Sequence, residues 1–231
     1  DTTPEGEQVN IYGNHVGSWN FAATAYLNRW KVKIYYEHYF DDHSQMFFQY
    51  GRWKDGHIGL EITFPKNRFI DTFVYEGLGT KDQTGPMLYD SFWGEFEEQI
   101  SAKDNYYNHY LYQGWQHWGM GIGNPLLPGP IYNKNGQITF ISNRVLAHHI
   151  GFCGSPCQSL SYRMLLSYSR HWGTYDNPLN EIKKQFNSLF EVTYAPQQLK
   201  GWSFTVSGAM DRGNLLGNIL NSLKNTHLNM S

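Results

Sequence analysis

Charged side chains are scarce in this sequence. They make up 16% of the 231 residues, against about 25% in ordinary soluble domains. The 18 Lys and Arg nearly balance the 20 Asp and Glu, and the formal net charge is −2. Because a nucleic-acid-binding protein carries a clear excess of positive charge, this balance argues against nucleic acid as a partner.

Long apolar runs are also missing. No stretch reaches the roughly 18 consecutive apolar residues that identify a transmembrane helix, so we predict none. The first residues, Asp1 to Glu5, contain neither Met nor the apolar core of a signal peptide. We expect either that a leader has been removed or that the sequence begins within a longer protein.

Cysteine is limited to Cys153 and Cys157, four positions apart in a GFCGSPC segment. A single pair cannot supply the four ligands of a structural zinc ion, and we predict no metal site and no cofactor. We interpret the two residues as loop cysteines, with a disulfide in an oxidising compartment left open.

Aromatic residues are abundant, at 17% of the chain. Rings with a polar tip favour membrane–water interfaces, and they also favour sugar-binding surfaces. The mean hydropathy of −0.56 argues against a helical membrane protein. It does not argue against a barrel, whose strands turn every second side chain toward a polar lumen.

The clearest pattern is alternation of apolar and polar residues. In residues 29–40, Trp30, Val32 and Ile34 alternate with Lys31 and Lys33, and on a strand the two sets lie on opposite faces. The same pattern continues through residues 159–172 and 201–211. Weaker versions occur at 18–27, 45–53, 57–64, 69–78, 143–152 and 186–195.

The length of these segments indicates a class of fold. Globular strands average about 5–6 residues, whereas a tilted strand needs about 9–11 to cross a bilayer. The three strong segments run for 11 to 14 residues, enough to cross, and Trp30, Trp172 and Trp202 stand near their ends, as in the aromatic girdle of a barrel. We predict an all-β, antiparallel transmembrane β-barrel, with a soluble jelly roll or sandwich as the alternative. The sequence contains no internal repeat or linker, so residues 1–231 are predicted to be one domain.

The longest irregular stretch covers residues 80–137, and loops of that length are usually functional. Its aromatic residues suggest sugar binding, since aromatic faces stack on the C–H faces of sugar rings. The candidate glycan-binding residues here are Tyr106, Tyr107, Tyr110, Trp115 and Trp118. The alternative is that these rings belong to an interfacial belt or to the barrel wall.

Two basic residues on the predicted lumen side, Arg144 and Arg163, complete the candidate site, because positive charge attracts acidic polysaccharide. The alternative is that the lumen arginines and lysines pair with Glu37, Glu61 and Glu191 and simply fill the lumen.

No catalytic centre is predicted. Glu95, Glu97 and Glu98 are candidates for the carboxylate pair of a glycoside hydrolase, but nothing in the sequence sets a second carboxylate at a defined distance. A crowded strand end is a candidate cation site, or else a polar rim of the barrel; it contains Glu37, His38, Asp41, Asp42 and His43. His148 and His149 are adjacent on a predicted strand, so they point to opposite faces and cannot share one metal ion.

Eight short runs together carry a resemblance to a known family. They are 5–9 (EGEQV), 13–18 (GNHVGS), 36–44 (YEHYFDDHS), 54–56 (KDG), 75–86 (YEGLGTKDQTGP), 105–109 (NYYNH), 121–126 (GIGNPL) and 211–217 (DRGNLLG). In this order they resemble the Wzi-type capsule assembly proteins of Bacteroidetes. Each run alone is modestly specific, but the set extends over nearly the whole chain.

The resemblance implies a barrel in the outer membrane of a Gram-negative bacterium, in contact with lipid and lipopolysaccharide. It implies lectin-like, non-catalytic binding and organisation of capsular or surface polysaccharide, and it leaves room for other envelope proteins as partners. Family members are longer and the runs match their C-terminal portion, so we expect the chain to cover only part of a barrel. Residues 218–231 depart from the family, because their apolar residues have helical spacing. Two alternatives stay open: a scaffold or transport component of an outer-membrane complex, and a glycan-degrading enzyme.

Overall fold

The computed structural model describes residues 17–40, 55–67, 69–83, 104–108, 115–133, 136–199 and 201–215. Strands account for 62% of these residues, and no α-helix occurs among them. The predicted all-β class is therefore confirmed. Within the described ranges, no helix has the length and apolarity needed to cross a membrane.

The strands are long and follow one another closely along the chain. In chain order they are β1 (Gly17–Leu27), β2 (Trp30–Phe40), β3 (Gly56–Thr63), β4 (Thr72–Gly79), β5 (Gln116–His117), β6 (Met120–Gly121), β7 (Val145–Cys157), β8 (Leu160–Gly173), β9 (Pro178–Tyr194) and β10 (Phe204–Gly213).

Eight strands form one antiparallel sheet in the order β1-β2-β3-β4-β7-β8-β9-β10. Every neighbour in this sheet is the next strand along the chain, except that β4 pairs with β7. Strands β5 and β6 form a separate small hairpin, followed by a 3-10 turn at Pro130–Tyr132. In the described part of the chain no ladder joins β1 to β10, so these two strands are the edges of the sheet.

Alternation located most strands correctly. Strands β2, β8 and β10 fall on the three strong segments, and β1, β3, β4 and β7 fall on weaker ones. Strand β9 is 17 residues long and begins at Pro178, well before the predicted segment at 186–195. Its first half carries polar residues on both faces, so alternation does not mark it. The segment predicted at 45–53 lies outside the described residues.

The register fixes which side chains share a face. Ile34 pairs with Leu60, Leu60 with Tyr75, and Tyr75 with Ile150, so these four side chains lie on the same side of the sheet. We call this side the apolar face. The same pairing places on it Phe21, Val32, Ile34, Ile58, Leu60, Phe73, Tyr75, Ile150, Phe152, Met164, Leu166, Phe190, Val206 and Met210. The opposite side, the polar face, carries Lys31, Tyr35, Glu37, His57, Glu61, Glu76, His149, Arg163, Ser167, Ser169, His171, Gln185, Asn187, Glu191 and Asp211.

Burial is inverted relative to a water-soluble sheet. On the apolar face, Ile34 of β2 is 55% exposed and Ile58 of β3 is 53% exposed, although both strands are paired on each side. None of the buried apolar side chains of the described residues lies on that face; they are Tyr106, Leu127, Phe140, Val145 and Ala147. The packed interior of the described chain therefore lies on the polar side of the sheet.

The two ends of the sheet differ. At one end, here called the turn end, short connections join β1 to β2, β3 to β4, β7 to β8 and β9 to β10. Two of the predicted girdle residues are there: Trp30 packs against Phe64 at 5.0 Å between ring centroids, and Trp202 stacks on Phe204 at 6.3 Å. The third, Trp172, lies at the opposite end, the loop end, where residues 80–144 connect β4 to β7.

The two cysteines do not lie in a loop as expected. Cys153 and Cys157 both belong to β7, and both are free thiols. Residues four apart on a strand are separated by roughly 13 Å, whereas a disulfide needs Cα atoms within about 7 Å. The extended backbone of β7 therefore keeps this pair from forming an internal disulfide.

Candidate functional site

A small apolar core attaches the segment between β4 and β7 to the polar face at the loop end. Leu127 and Phe140 from this segment pack with Val145 and Ala147 of β7. Leu78 of β4, together with Tyr107 and Leu126, extends the cluster. The segment is therefore fixed over the polar face.

Asparagine side chains hold the segment's backbone in place. Asn108 Nδ2 donates to Phe140 O at 2.8 Å, and Phe140 N donates to Asn108 Oδ1 at 2.7 Å. Asn143 Nδ2 donates to Asn105 Oδ1 at 2.6 Å and to Tyr106 O at 2.8 Å. Residues 104–108 are thus bonded to the chain that leads into β7.

Asp55 anchors the same segment to the start of β3. Its carboxylate accepts hydrogen bonds from Tyr106 Oη at 3.0 Å, from Asp82 N at 2.8 Å and from Gln83 N at 2.7 Å. Burial raises the pKa of Asp55 from 3.8 to about 6, although the backbone N–H groups of Asp82 and Gln83 oppose the rise. Burial also raises the pKa of Tyr106 well above its ordinary value, so its hydroxyl remains a donor.

Tyr107 has a constrained backbone. Its φ of 68° lies in the left-handed region, which is uncommon for an aromatic residue. The hydroxyl of Tyr107 accepts a hydrogen bond from Asn124 N at 3.3 Å, and its ring meets Phe140 edge-on at 5.1 Å. Contacts on both sides of the ring thus hold Tyr107 in this conformation.

A cavity of about 830 Å³ lies between the polar face and the attached segment, within the range typical of ligand sites. We call it the main cavity. Tyr106 and Tyr107 form part of its wall, and the sheet contributes a polar floor. The floor residues are Glu37, Tyr39, His57, Glu76, His149, Ser167 and Asn187.

The floor is organised by bonds that cross the strands. Glu76 accepts a hydrogen bond from Tyr35 Oη, and its Oε1 lies 3.5 Å from His57 Nε2. On its other side, His57 Nδ1 lies 3.8 Å from Glu37 Oε2. His149 Nδ1 is 2.7 Å from Ser167 Oγ. This floor offers both hydrogen-bond donors and acceptors, which is what recognition of a polyhydroxylated ligand requires.

A second, smaller cavity of about 270 Å³ lies beyond Asn124, Pro125, Leu126 and Leu127, which border both cavities. We call it the inner cavity. Its polar wall consists of Ser169, His171, Gln185 and Asn187 from β8 and β9. The two cavities therefore follow one another along the polar face.

Of the four predicted aromatic candidates among the described residues, two line the main cavity and two do not. Tyr106 and Tyr107 are in its wall, and Trp115 lies behind them, 6.4 Å from Tyr107 between ring centroids. Trp118 is 85% exposed and does not line the cavity. Tyr110 lies outside the described residues.

The two predicted basic residues do not line the main cavity either. The Arg144 guanidinium stacks on the Tyr175 ring at 3.7 Å, and its Nε donates to Lys81 O at 3.0 Å. Arg163 pairs with Glu191 at 3.2 Å, as Lys31 does with Glu61 at 3.3 Å. These last two contacts match the alternative in which basic residues of the polar face pair with Glu61 and Glu191.

The residues predicted as candidate cation ligands or catalytic carboxylates either lie on different faces of the sheet or are outside the described residues. Glu37 lines the main cavity, whereas His38 is on the opposite side of β2; Asp41, Asp42, His43, Glu95, Glu97 and Glu98 are outside the described residues. Among the residues that are described, no three His, Cys, Asp or Glu side chains are arranged to hold a metal ion. His148 and His149 do point to opposite faces, toward Tyr75 and Ser167 respectively.

The sequence reasoning missed most of the cavity floor. Alternation placed Ser167 and His171 on one face of their strand, but it did not give the register that brings Glu76, His149, Ser167 and Asn187 into one row.

Searches against protein-family models, curated proteins and solved structures returned no match for this chain.

Proposed function

We propose that this protein is a Wzi-type β-barrel of the Gram-negative outer membrane that binds and organises capsular or surface polysaccharide without cleaving it. The observation that carries the proposal is the inverted sheet. An exposed apolar face suits lipid and lipopolysaccharide, and a polar face with cavities suits a hydrophilic ligand.

Strand length and end residues support the membrane part of the proposal. Strands β7, β8 and β9 hold 13, 14 and 17 residues, enough to cross a bilayer at a tilt. Trp30 and Trp202 at the turn end suit the water–lipid boundary. In this proposal the edges of β1 and β10 are paired in the membrane, because open edges in lipid leave backbone groups without partners.

The main cavity supports the polysaccharide part. Tyr107 and the small exposed part of Tyr106 provide aromatic surface, and the floor provides polar groups for hydroxyls. None of the described lining residues is Lys or Arg, which fits a neutral stretch of glycan better than an acidic one.

The arrangement of carboxylates favours binding over hydrolysis. Glu37 and Glu76 both line the cavity, but the His57 ring stands between them and approaches both. A glycoside hydrolase needs the scissile bond in the space between its two carboxylates. Because an imidazole fills that space, this pair is poorly placed to act on a sugar.

The first test is heat-modifiability. The protein, extracted from membranes in mild detergent, is run boiled and unboiled on a denaturing gel. A closed barrel resists the detergent until boiled and migrates differently, so a shift is expected. A protein that is soluble without detergent and shows no shift would overturn the membrane assignment.

The second test blocks the main cavity. Ser167→Phe places a ring in the floor, whereas Ser161→Phe places the same ring on the same strand and face but outside the cavity. We expect binding of purified capsular polysaccharide, measured by isothermal titration calorimetry, to be lost in the first variant and kept in the second. Equal binding by both variants contradicts the assignment of this cavity. Release of reducing ends during the incubation would favour the hydrolase alternative, and stable co-purification of other envelope proteins would favour the scaffold alternative.

A further inference from the structure

The inner cavity contains two buried polar atoms that lack partners. His171 is 0% exposed and Gln185 is 4% exposed, and both side chains line this cavity. Within the described part of the chain, His171 Nδ1 and Gln185 Oε1 make no hydrogen bond. Because a buried polar atom without a partner is destabilising, these two atoms point to a guest that satisfies them.

The chemistry of the two atoms is complementary. Gln185 Oε1 is an acceptor. The other ring nitrogen of His171, Nε2, lies 2.9 Å from Ser169 Oγ. When Ser169 donates its proton to Nε2, the neutral ring carries its own proton on Nδ1 and offers a donor. The cavity then presents one donor and one acceptor.

The two atoms come from neighbouring positions of the sheet. Ser169 and Gln185 are cross-strand partners, and His171 is two residues further along β8. His171 and Gln185 are therefore diagonal neighbours, whose backbones lie about 7–8 Å apart and whose long side chains can reach one common guest. A group that carries an N–H and a C=O on opposite sides can bond to both atoms.

The rest of the wall excludes charged groups. Among the described lining residues there is no Asp, Glu, Lys or Arg, and Met120, Leu127 and Tyr132 supply apolar surface. A carboxylate or an ammonium ion would lose its hydration there without gaining a counter-charge. An uncharged amide with a methyl group matches the polar and the apolar parts of this wall.

We propose that the inner cavity binds the acetamido group of a 2-acetamido sugar. His171 Nδ1 donates to the acetamido oxygen, and Gln185 Oε1 accepts from the acetamido N–H. The acetamido methyl group packs on Leu127 and Met120. This assignment rests on the proposed function, because it names the sugar that the polysaccharide site selects. The sugar ring extends past Asn124 into the main cavity.

The test compares three β-1,4-linked trisaccharides that differ only at carbon 2: cellotriose (hydroxyl), chitotriose (amino) and tri-N-acetylchitotriose (acetamido). Binding to the whole chain in detergent micelles is measured by calorimetry. We expect the acetamido sugar to bind at least about tenfold more tightly than the other two, since the cavity's donor and acceptor are both satisfied only by the amide. Because this comparison uses the unaltered protein, it is decisive even where a variant fails to fold.

A variant then assigns the effect to the cavity. Gln185→Met keeps the side-chain length but removes the acceptor, and we expect it to bring the affinity for the acetamido sugar down to that for the hydroxyl sugar. The matched control is Gln198→Met, on the exposed connection between β9 and β10, which keeps the preference. Folding of both variants is checked by heat-modifiability.

The outcomes separate the two proposals. Equal affinities for the three sugars, or a preference for the amino sugar, overturn the acetamido assignment. The acetamido assignment is also overturned if no trisaccharide binds while polysaccharide still binds and Ser167→Phe abolishes that binding. In each of these outcomes the proposed function survives. Loss of polysaccharide binding as well overturns both.

Discussion

Tyr35 on β2 crosses Gly59 on β3 and donates its hydroxyl proton to Glu76 on β4. The ring lies where a side chain at Gly59 would be, because a Cβ atom built there overlaps Tyr35. One tyrosine thus links three strands on the polar face and holds a carboxylate in the floor of the main cavity. A glycine in the middle strand is what makes this contact possible.

Gly59→Ala should destabilise the sheet. The added methyl group displaces the Tyr35 ring, and such overpacking costs about 1–3 kcal/mol. Gly208→Ala on β10 is the matched control, because a Cβ there meets nothing within 4 Å; it should be neutral or stabilise by up to about 1 kcal/mol. Urea unfolding in lipid vesicles, followed by Trp fluorescence, measures both changes. Equal stabilities of the two variants would contradict the packing described.

Stability should depend on the ionisation of Asp55. Its pKa is raised from 3.8 to about 6 in the folded protein, so the folded state binds the proton more tightly than the unfolded state. The contribution to stability is fully present below pH 3.8 and is lost as the pH rises through 6, and it amounts to about 3 kcal/mol. In a series of urea unfolding experiments from pH 4 to 8, Asp55→Asn should remove this contribution to the pH dependence.

Tyr106→Phe tests the direction in which the pKa of the Asp55 carboxyl group moves. The Tyr106 hydroxyl donates to Asp55 and lowers its pKa. Its removal should raise the pKa of Asp55 further, which moves the midpoint of the stability loss to higher pH. A midpoint that moves to lower pH would show that another group is responsible.

Arg144 should matter for stability and not for polysaccharide affinity. Arg144→Lys keeps the charge but loses the planar stacking on Tyr175 and the bond from Nε to Lys81 O; we expect a loss of about 1–2 kcal/mol. Arg163→Lys is the control, because its ion pair with Glu191 is exposed and such pairs contribute about 0–1 kcal/mol. Weaker polysaccharide binding by Arg144→Lys with unchanged unfolding would contradict this expectation and support the binding role predicted from the sequence.

Both cysteines should be present as free thiols. Two thiol groups per chain are expected with a chromogenic disulfide reagent after unfolding without reductant, since Cys153 and Cys157 are free. In the folded protein, Cys157 should react faster than Cys153, because Cys157 is exposed and Cys153 is half-buried. A count of zero under these conditions would mean that the two residues are oxidised and would contradict the extended conformation of β7 between them.

The sequence predicted the strands far better than it predicted the site. Alternation is a local signal, and it is strong where one face is apolar, as along β2 and β8. It fails at the start of β9, where residues such as Asn180, Glu181 and Lys183 carry polarity on both faces. The pairing of β4 with β7 depends on a contact across residues 80–144, and no local pattern encodes it.

The candidate site was only partly predictable for the same reason. The aromatic composition of residues 106–118 drew attention to Tyr106 and Tyr107, which do line the main cavity. It could not separate them from Trp118, since exposure is a property of the packed chain. For the arginines the sequence left a ligand-binding role and an ion pair both open, and only the folded chain shows their contacts, Tyr175 for Arg144 and Glu191 for Arg163.

The ladder between β4 and β7 runs without a shift from Thr72 opposite Cys153 to Gly79 opposite Leu146. Residues 80–144 therefore leave and re-enter the sheet at neighbouring points. Because the entropy of closing a loop grows only slowly with its length, this segment can gain, lose or exchange residues while every strand keeps its partner. We expect descendants of this gene to conserve the strands, with the polar groups that they place in the cavities, and to diverge between these two points, so that the walls over the polar face evolve separately from the scaffold.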